Sequence, residues 1–449
     1  MTTDVESLLN KAHEPGRKAM KMHPYYKGKI EISPKCRIKD FQDFGIWYTP
    51  GVAEPCKDIQ KNPEQVYTHT NKWNTVAVIS DGTRVLGLGD IGPEAGLPVM
   101  EGKSLLFKYL GGVDAYPLCL DTKDPEEIIQ AVKWLKPSLG GVNLEDIATP
   151  KCFTILERLR AELDIPVWHD DQQGTATIVV AGAINALKLQ NIKLSEAQVC
   201  MVGAGAANIA ISRVLVAAGI NKKNIIMADS KGILSSQRSD LEAQKDYNPQ
   251  KWDMCTKSNG SQRSGTIEDA FKGADICIAA SKPGPGTIKA EWIKHMATDP
   301  IVFATANPTP EIWPWEAKEA GATIIATGRS DFPNQINNSL GFPGIFRGTL
   351  DVRASTITDE MCIAAALELA KTQEDAGLDE EHLVPTMDNW EVFPREAVAV
   401  GMKAISQGIA QIKPSRQELY DQAVSMIKKS RDQTQLLMSK GYINDPESE

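Results

Sequence analysis

Residues Trp168 to Thr175, reading Trp-His-Asp-Asp-Gln-Gln-Gly-Thr, set Asp170 and Asp171 side by side just ahead of a long apolar, helix-like run. Adjacent acids repel unless positive charge sits between them. A second acidic pair, Glu145-Asp146, lies upstream in Val-Asn-Leu-Glu-Asp-Ile-Ala. Brought together, these carboxylates would suit one hard divalent cation such as Mg²⁺ or Mn²⁺, which takes oxygen ligands. A third chemical feature is Gly203-Ala204-Gly205-Ala206-Ala207-Asn208, which follows the apolar run Val199-Cys200-Met201-Val202 and opens a helix-like segment. Strand, glycine turn and helix in that order form a dinucleotide fingerprint. Gly203 permits the tight turn, and Gly205 lets backbone amides approach a pyrophosphate at the positive end of the helix. Asn208 stands where glycine or alanine is usual, so helix and strand are expected to sit slightly further apart or to shift. The next apolar run ends in Asp229, about the spacing expected of a ribose-binding carboxylate, with Ser230 and Lys231 as alternative partners for a 2′-phosphate. The choice between NAD and NADP is open at this point.

The elements that must position these groups follow from periodicity. At 449 residues the chain exceeds the reach of one hydrophobic core. The prolines at positions 15, 24, 34, 50, 55 and 63 predict short helices and loops over the first ~70 residues. Thr75 to Ser80 reads as a strand, Arg84 to Gly89 as another short apolar run, and a helix is expected to begin near Gly102. A strand at Asp114 to Leu120 and helices at Pro125 to Leu135, Ala148 to Leu163 and Gly174 to Leu189 continue a β/α alternation, which implies a mostly parallel sheet. Beyond the glycine turn, strands are expected at 224–229, 274–280, 300–306 and 323–326, completing a doubly wound sheet. Ligands of such sheets bind beyond the carboxyl ends of the strands. After Arg353 the pattern is helical, at 360–371, 396–411 and 418–438.

Composition narrows the partners. The chain is 42% hydrophobic and 24% charged, with a formal net charge of −9, which argues against a nucleic-acid binder working through bulk electrostatics. No run of 18 apolar residues and no signal-peptide pattern occurs, so no membrane association and a cytoplasmic location are expected. The eight cysteines are scattered without a CxxC pair and read as thiols in a reducing compartment.

With Tyr48-Thr-Pro-Gly, Leu86-Gly-Leu-Gly-Asp-Ile-Gly, Glu145-Asp146, Asp170-Asp-Gln-Gln-Gly-Thr and the glycine turn in this order, the chain resembles the malic enzymes from about Tyr48 to Arg353, in their short bacterial or archaeal form. The resemblance implies an α/β architecture: an N-terminal α/β substrate and catalytic domain at 1–165, a Rossmann-type doubly wound NAD(P)-binding domain at 166–375, and a C-terminal helical segment at 376–449. It implies oxidative decarboxylation of L-malate to pyruvate and CO₂, with NAD or NADP and Mg²⁺ or Mn²⁺, in a homodimer. Lys103 matches the family's base, which must lose its proton near neutral pH, a change that burial and a nearby metal would favour. Asp170 matches the acid that orients Lys103, and Glu145, Asp146 and Asp171 match the metal ligands. Tyr48 matches the general acid that protonates C3 of enolpyruvate. Arg84, Asn307 and Asn338 match substrate-binding positions, with Asn307 also toward the nicotinamide, and His169 is read as structural. The alternatives are a malolactic reaction that releases lactate, an amino-acid dehydrogenase, disfavoured by the paired acids, and a non-catalytic nucleotide-binding regulator.

Overall fold

The computed structural model describes residues 2–446. Two parallel sheets form its frame. The first has the order β2-β1-β3-β4, with β1 at Thr75–Ser80, β2 at Asp114–Cys119, β3 at Gly141–Leu144 and β4 at Val167–His169. The second comprises β5 (Val199–Val202), β6 (Ile225–Asp229), β7 (Gly232–Ile233), β8 (Ile276–Ala279), β9 (Ile301–Ala304) and β10 (Ile324–Thr327), in the order β10-β9-β8-β5-β6-β7. Only β7 runs antiparallel, on the edge beside β6. Strand β5 lies between β6 and β8, so the order reverses there and a crevice opens beyond the carboxyl ends, as in doubly wound folds.

Local sequence explains the connecting helices. Asp124 caps helix Pro125–Leu135 by accepting from the Glu126 amide, Pro125 pre-sets the first turn, and Ile128, Ile129 and Val132 bury one face. Helix Pro93–Gly111 starts nine residues before the expected Gly102, because Gly92 (φ 85°) turns the chain and Pro93 supplies the first helical residue; Gly112 ends it in the left-handed region. Its buried face holds Met100, Lys103, Phe107 and Leu110, so the periodicity that packs the helix also carries Lys103 inward. Burying a side chain such as Phe107 contributes about 2–3 kcal/mol.

Other expectations are corrected. Short helices and loops occur as expected from residue 27 to 70, but Pro15 and Pro24 do not break the chain: helix Thr2–Tyr26 continues through both. The short apolar run 84–89 forms a turn closed by a bridge between Val85 and Gly89. One apolar core joins the sheets, containing Val76 and Val142 of the first and Met201 and Ile278 of the second. Helix Thr175–Leu189 lies within this core, and helices Phe342–Asp351 and Arg416–Ser439 pack against helix Pro93–Gly111. Among the described residues no helix is long and apolar enough to cross a membrane.

Candidate active site

Strand register assembles the acids. Leu144 pairs with His169, so the residues that follow each, Glu145-Asp146 and Asp170-Asp171, leave adjacent parallel strands at the same level. Glu145, Asp146 and Asp171 each offer an oxygen, with these atoms all within 4.8 Å of one another. Asp146 takes a left-handed backbone (φ 56°), and its amide donates to Asp171 Oδ2 at 2.9 Å. Asp146 Oδ2 is buried and finds no hydrogen-bond partner among the described residues. An unpartnered buried oxygen beside two further carboxylates suits a hard cation, which would supply the missing charge.

Lys103 enters this cluster from its helix. Its ammonium donates to Asp170 Oδ2 at 2.6 Å, stands 3.1 Å from Glu145 Oε1 and lies 4.5 Å from the centre of the Phe342 ring. Asn338 Nδ2 donates to the same Asp170 oxygen at 2.5 Å, and Trp168 Nε1 donates to the other at 3.1 Å. Asp170 opens one π-helical turn, Asp170–Gly174, of the kind often found at functional sites. A side chain at Gly174 would bring Cβ to 2.1 Å from Asp170 Oδ1, so this turn closes only around glycine.

The electrostatics follow from burying several acids around one base. Burial, then Asp171, pushes the Asp146 carboxyl up to about 8, and burial raises Glu145 and Asp170 as well. Burial also acts against the Lys103 charge, yet Asp170 and Glu145 outweigh it and hold the ammonium above the ordinary lysine range. Burial alone therefore does not free Lys103 of its proton: without a cation, Asp170 and Glu145 keep it charged. His169 is fully buried; neither ring nitrogen makes a hydrogen bond among the described residues, Nδ1 standing 3.6 Å from Asp171 Oδ2, and burial lowers its pKa, which favours the neutral ring.

The second sheet supplies the facing wall. Gly203 adopts φ 100°, and a Cβ there would lie 2.6 Å from the Ala280 carbonyl, so the turn needs glycine. Gly205 caps helix Ala206–Ala218 and has open space where a side chain would go. Asn208 does not force helix and strand apart. It ties them, donating from Nδ2 to the carbonyls of Val202 (2.8 Å) and Gly203 (2.9 Å). Gly205, Ala206 and Ala207 line a cavity of about 280 Å³ together with Arg84, Lys103, Glu145, Asp146, Asp171, Asn307 and Asn338. Arg84 is exposed there and makes no ion pair among the described residues. Asp229 ends β6 to one side, held by Arg238 and Lys251, with Ser230 and Lys231 exposed beside it.

Tyr48 is not brought into this cavity. It follows helix Asp43–Trp47, which buries none of its residues, and is 72% exposed. Conversely, the cavity depends on residues outside the motifs. Phe342 covers Lys103, yet Gly-Phe-Pro reads only as packing. Glu311 accepts from the amides of Ser281 (2.8 Å) and Ala306 (3.0 Å), tying together the loops after β8 and β9 that line the crevice. An acid in the proline-rich stretch directly after Asn307 was the available clue.

Residues 27–160 match the family description "Malic enzyme, N-terminal domain" and residues 172–405 match "Malic enzyme, NAD binding domain". The chain is 47% identical to the bifunctional malic/malolactic enzyme of Bacillus subtilis over 89% of its length and 96% of that protein's. It is 50% identical to the NAD-dependent malic enzyme of Geobacillus stearothermophilus over 85% of its length and 78% of that protein's. Other relatives, from Escherichia coli and Halomonas elongata, are named NADP-dependent malic enzymes. The crystal structure of the Entamoeba histolytica malic enzyme superposes with a TM-score of 0.96 at 46% identity, covering 99% of this chain and 92% of that one.

Proposed function

Because the chain belongs to the malic enzyme family and is an NAD(P)-dependent malic enzyme, we propose that it converts L-malate to pyruvate and CO₂ with a divalent cation held by Glu145, Asp146 and Asp171. The observation that carries this reading is the buried Lys103–Asp170 pair at 2.6 Å, standing beside three clustered carboxylates and opposite a glycine turn. When bound, the cation draws charge from the substrate's C2 oxygen as a Lewis acid and NAD(P)⁺ accepts the C2 hydride. Arg84, Asn307 and Asn338 are the groups available to the substrate's carboxylates, and the guanidinium suits paired recognition of a carboxylate. Lys103 takes the proton of the C2 hydroxyl. Asp170, whose Oδ2 accepts from the ammonium at 2.6 Å, orients the Lys103 side chain. A cation engaging the charge of Glu145 would weaken the hold that keeps the ammonium protonated.

Protonation at C3 falls to Tyr48, and the exposed position of this residue supports an assembly of two copies. The segment around it leaves Ile32 82%, Phe41 87% and Ile46 61% exposed, an apolar surface of the kind that marks protein contacts. In the homodimer proposed here this segment of one copy covers the other's cavity and delivers Tyr48 to it.

The test is absorbance of reduced nicotinamide with L-malate and Mn²⁺, with and without chelator, alongside assays for pyruvate and lactate. Chelator-sensitive reduction matched by pyruvate is expected; no reduction and no pyruvate would overturn the reading. The Bacillus subtilis relative, named as both malic and malolactic, favours one second reading. Lactate formed without net reduction would identify it.

A further inference from the structure

Asp229 stands at the end of β6, where a dinucleotide-binding sheet carries the acid that reads the ribose diol. The hydrogen bond from the Gly203 amide to the Ala228 carbonyl (2.8 Å) sets this corner directly beside the glycine turn. An ionised carboxylate offers about four lone-pair sites. Asp229 Oδ1 accepts from Arg238 Nη1 (3.0 Å) and the Lys231 amide (2.9 Å), while Oδ2 accepts from Arg238 Nη2 (3.2 Å) and Lys251 Nζ (2.7 Å). Every acceptor site is filled from within the chain, so none is left for a sugar hydroxyl.

The neighbouring cations differ in what they have left. The Arg238 N–H groups are all directed to Asp229, Asp240 and the Gly232 carbonyl. The Lys231 ammonium makes one bond, to Asp240 at 3.2 Å, and Lys251 one, to Asp229, so each keeps donors to spare. Ser230, directly before Lys231, adds an exposed hydroxyl. Among the described residues, Lys231, Arg238 and Lys251 pair with Asp229 and Asp240 alone, a local positive excess in a chain of net charge −9.

Resting on the nucleotide site proposed above, we propose that this corner is a 2′-phosphate subsite. The chain thus favours the dinucleotide phosphorylated on the adenosine ribose, NADP⁺ over NAD⁺. Lys231 and Lys251 bind the phosphate. Asp229 is a positioning residue that holds Lys251 and Arg238, and it does not read the ribose.

Calorimetric titration of the full chain with 2′,5′-ADP and with 5′-ADP tests this without turnover. The wild type is expected to bind 2′,5′-ADP at least about tenfold more tightly. Lys251→Met, and Lys231→Met on the exposed surface, should each weaken 2′,5′-ADP by about tenfold, the size of one charge-assisted hydrogen bond, and change 5′-ADP by less than about twofold. Asp229→Asn should act in the same selective way, by releasing Lys251. Equal affinity for the two ligands in the wild type would overturn the proposal, as would an Asp229→Asn variant that loses 5′-ADP as much as 2′,5′-ADP. Binding of neither ligand would instead remove the nucleotide site itself.

Discussion

The cluster around Lys103 and the segment carrying Tyr48 treat their chemistry in opposite ways. Lys103 is 7% exposed and held by Asp170, Glu145 and Phe342, whereas Tyr48 is 72% exposed at the end of a helix with no buried residue. The proposed base is fixed by the same core that stabilises the fold, so its geometry is available to a single chain. The segment from 27 to 62 has no buried residue and displays large apolar side chains, and what ties it to its own chain is polar, such as Lys29 to the Pro98 carbonyl and Lys35 to Asn71. The difference teaches that deep burial of one catalytic group does not make a site complete.

The largest effects should break the comparison outright. Lys103→Ala should lower kcat by roughly 10²–10⁴-fold, the usual contribution of a general base. If the two regions belong to different copies in one site, mixing the Lys103→Ala and Tyr48→Phe proteins should restore turnover that neither has alone. Steady-state rates of the mixture that stay at the sum of the separate variants would show both groups acting within one chain. Gly174→Ala should cost about 10²-fold in kcat, because the added methyl displaces Asp170 and with it the base, and misplacement of ~1 Å is enough for such a loss. A variant with wild-type turnover would mean that the π-helical turn can relax.

Smaller effects sharpen the account of the buried half. Asp171→Asn should raise the Mn²⁺ concentration for half-maximal rate by ~10-fold or more; an unchanged requirement excludes Asp171 as a ligand. Stability should carry the signature of Asp146. The metal-free folded chain keeps a proton on this carboxyl up to about pH 8, while the unfolded chain releases it near about pH 4. The folded state therefore binds more protons in this interval, and stability falls as pH rises through it. Thermal melts of chelated protein should show that decline, Mn²⁺ should reverse it at the alkaline end, and Asp146→Asn should flatten it. A melting temperature that rises with pH over the same range would contradict the raised carboxyl.

What could be read from the sequence depended on how regular the local signal was. Thr75 to Ser80 and Val199 to Val202 are continuous apolar runs and form strands with those bounds, and helix Pro125–Leu135 carries its cap, its proline and its apolar face in plain order. Strands Gly141–Leu144 and Val167–His169 gave no such signal, because Asn143 and His169 interrupt the apolar run and both strands lead straight into acids. Yet these are the strands that align the two acidic pairs. Pro15 and Pro24 pointed to breaks that do not occur in helix Thr2–Tyr26. Within the site, the two acid pairs stood out from the residues themselves, while Lys103 was reached through the family resemblance; motif spacing served because those acids leave the ends of strands. It could not lead to Phe342 or Glu311, whose roles exist only once distant loops meet. Nor could it show that Asp229 has its acceptors filled, since Arg238 and Lys251 approach from two later segments.

Asn208 carries a lesson for anyone transplanting this glycine turn into another parallel sheet. With glycine or alanine at that position, the helix can rotate about its axis over the strand end at little cost. Here one amide group grips the carbonyls of Val202 and Gly203, so the rotation is locked by hydrogen bonds of about 1 kcal/mol each. A graft that kept both glycines but exchanged the asparagine would preserve the spelling of the motif and lose its aim.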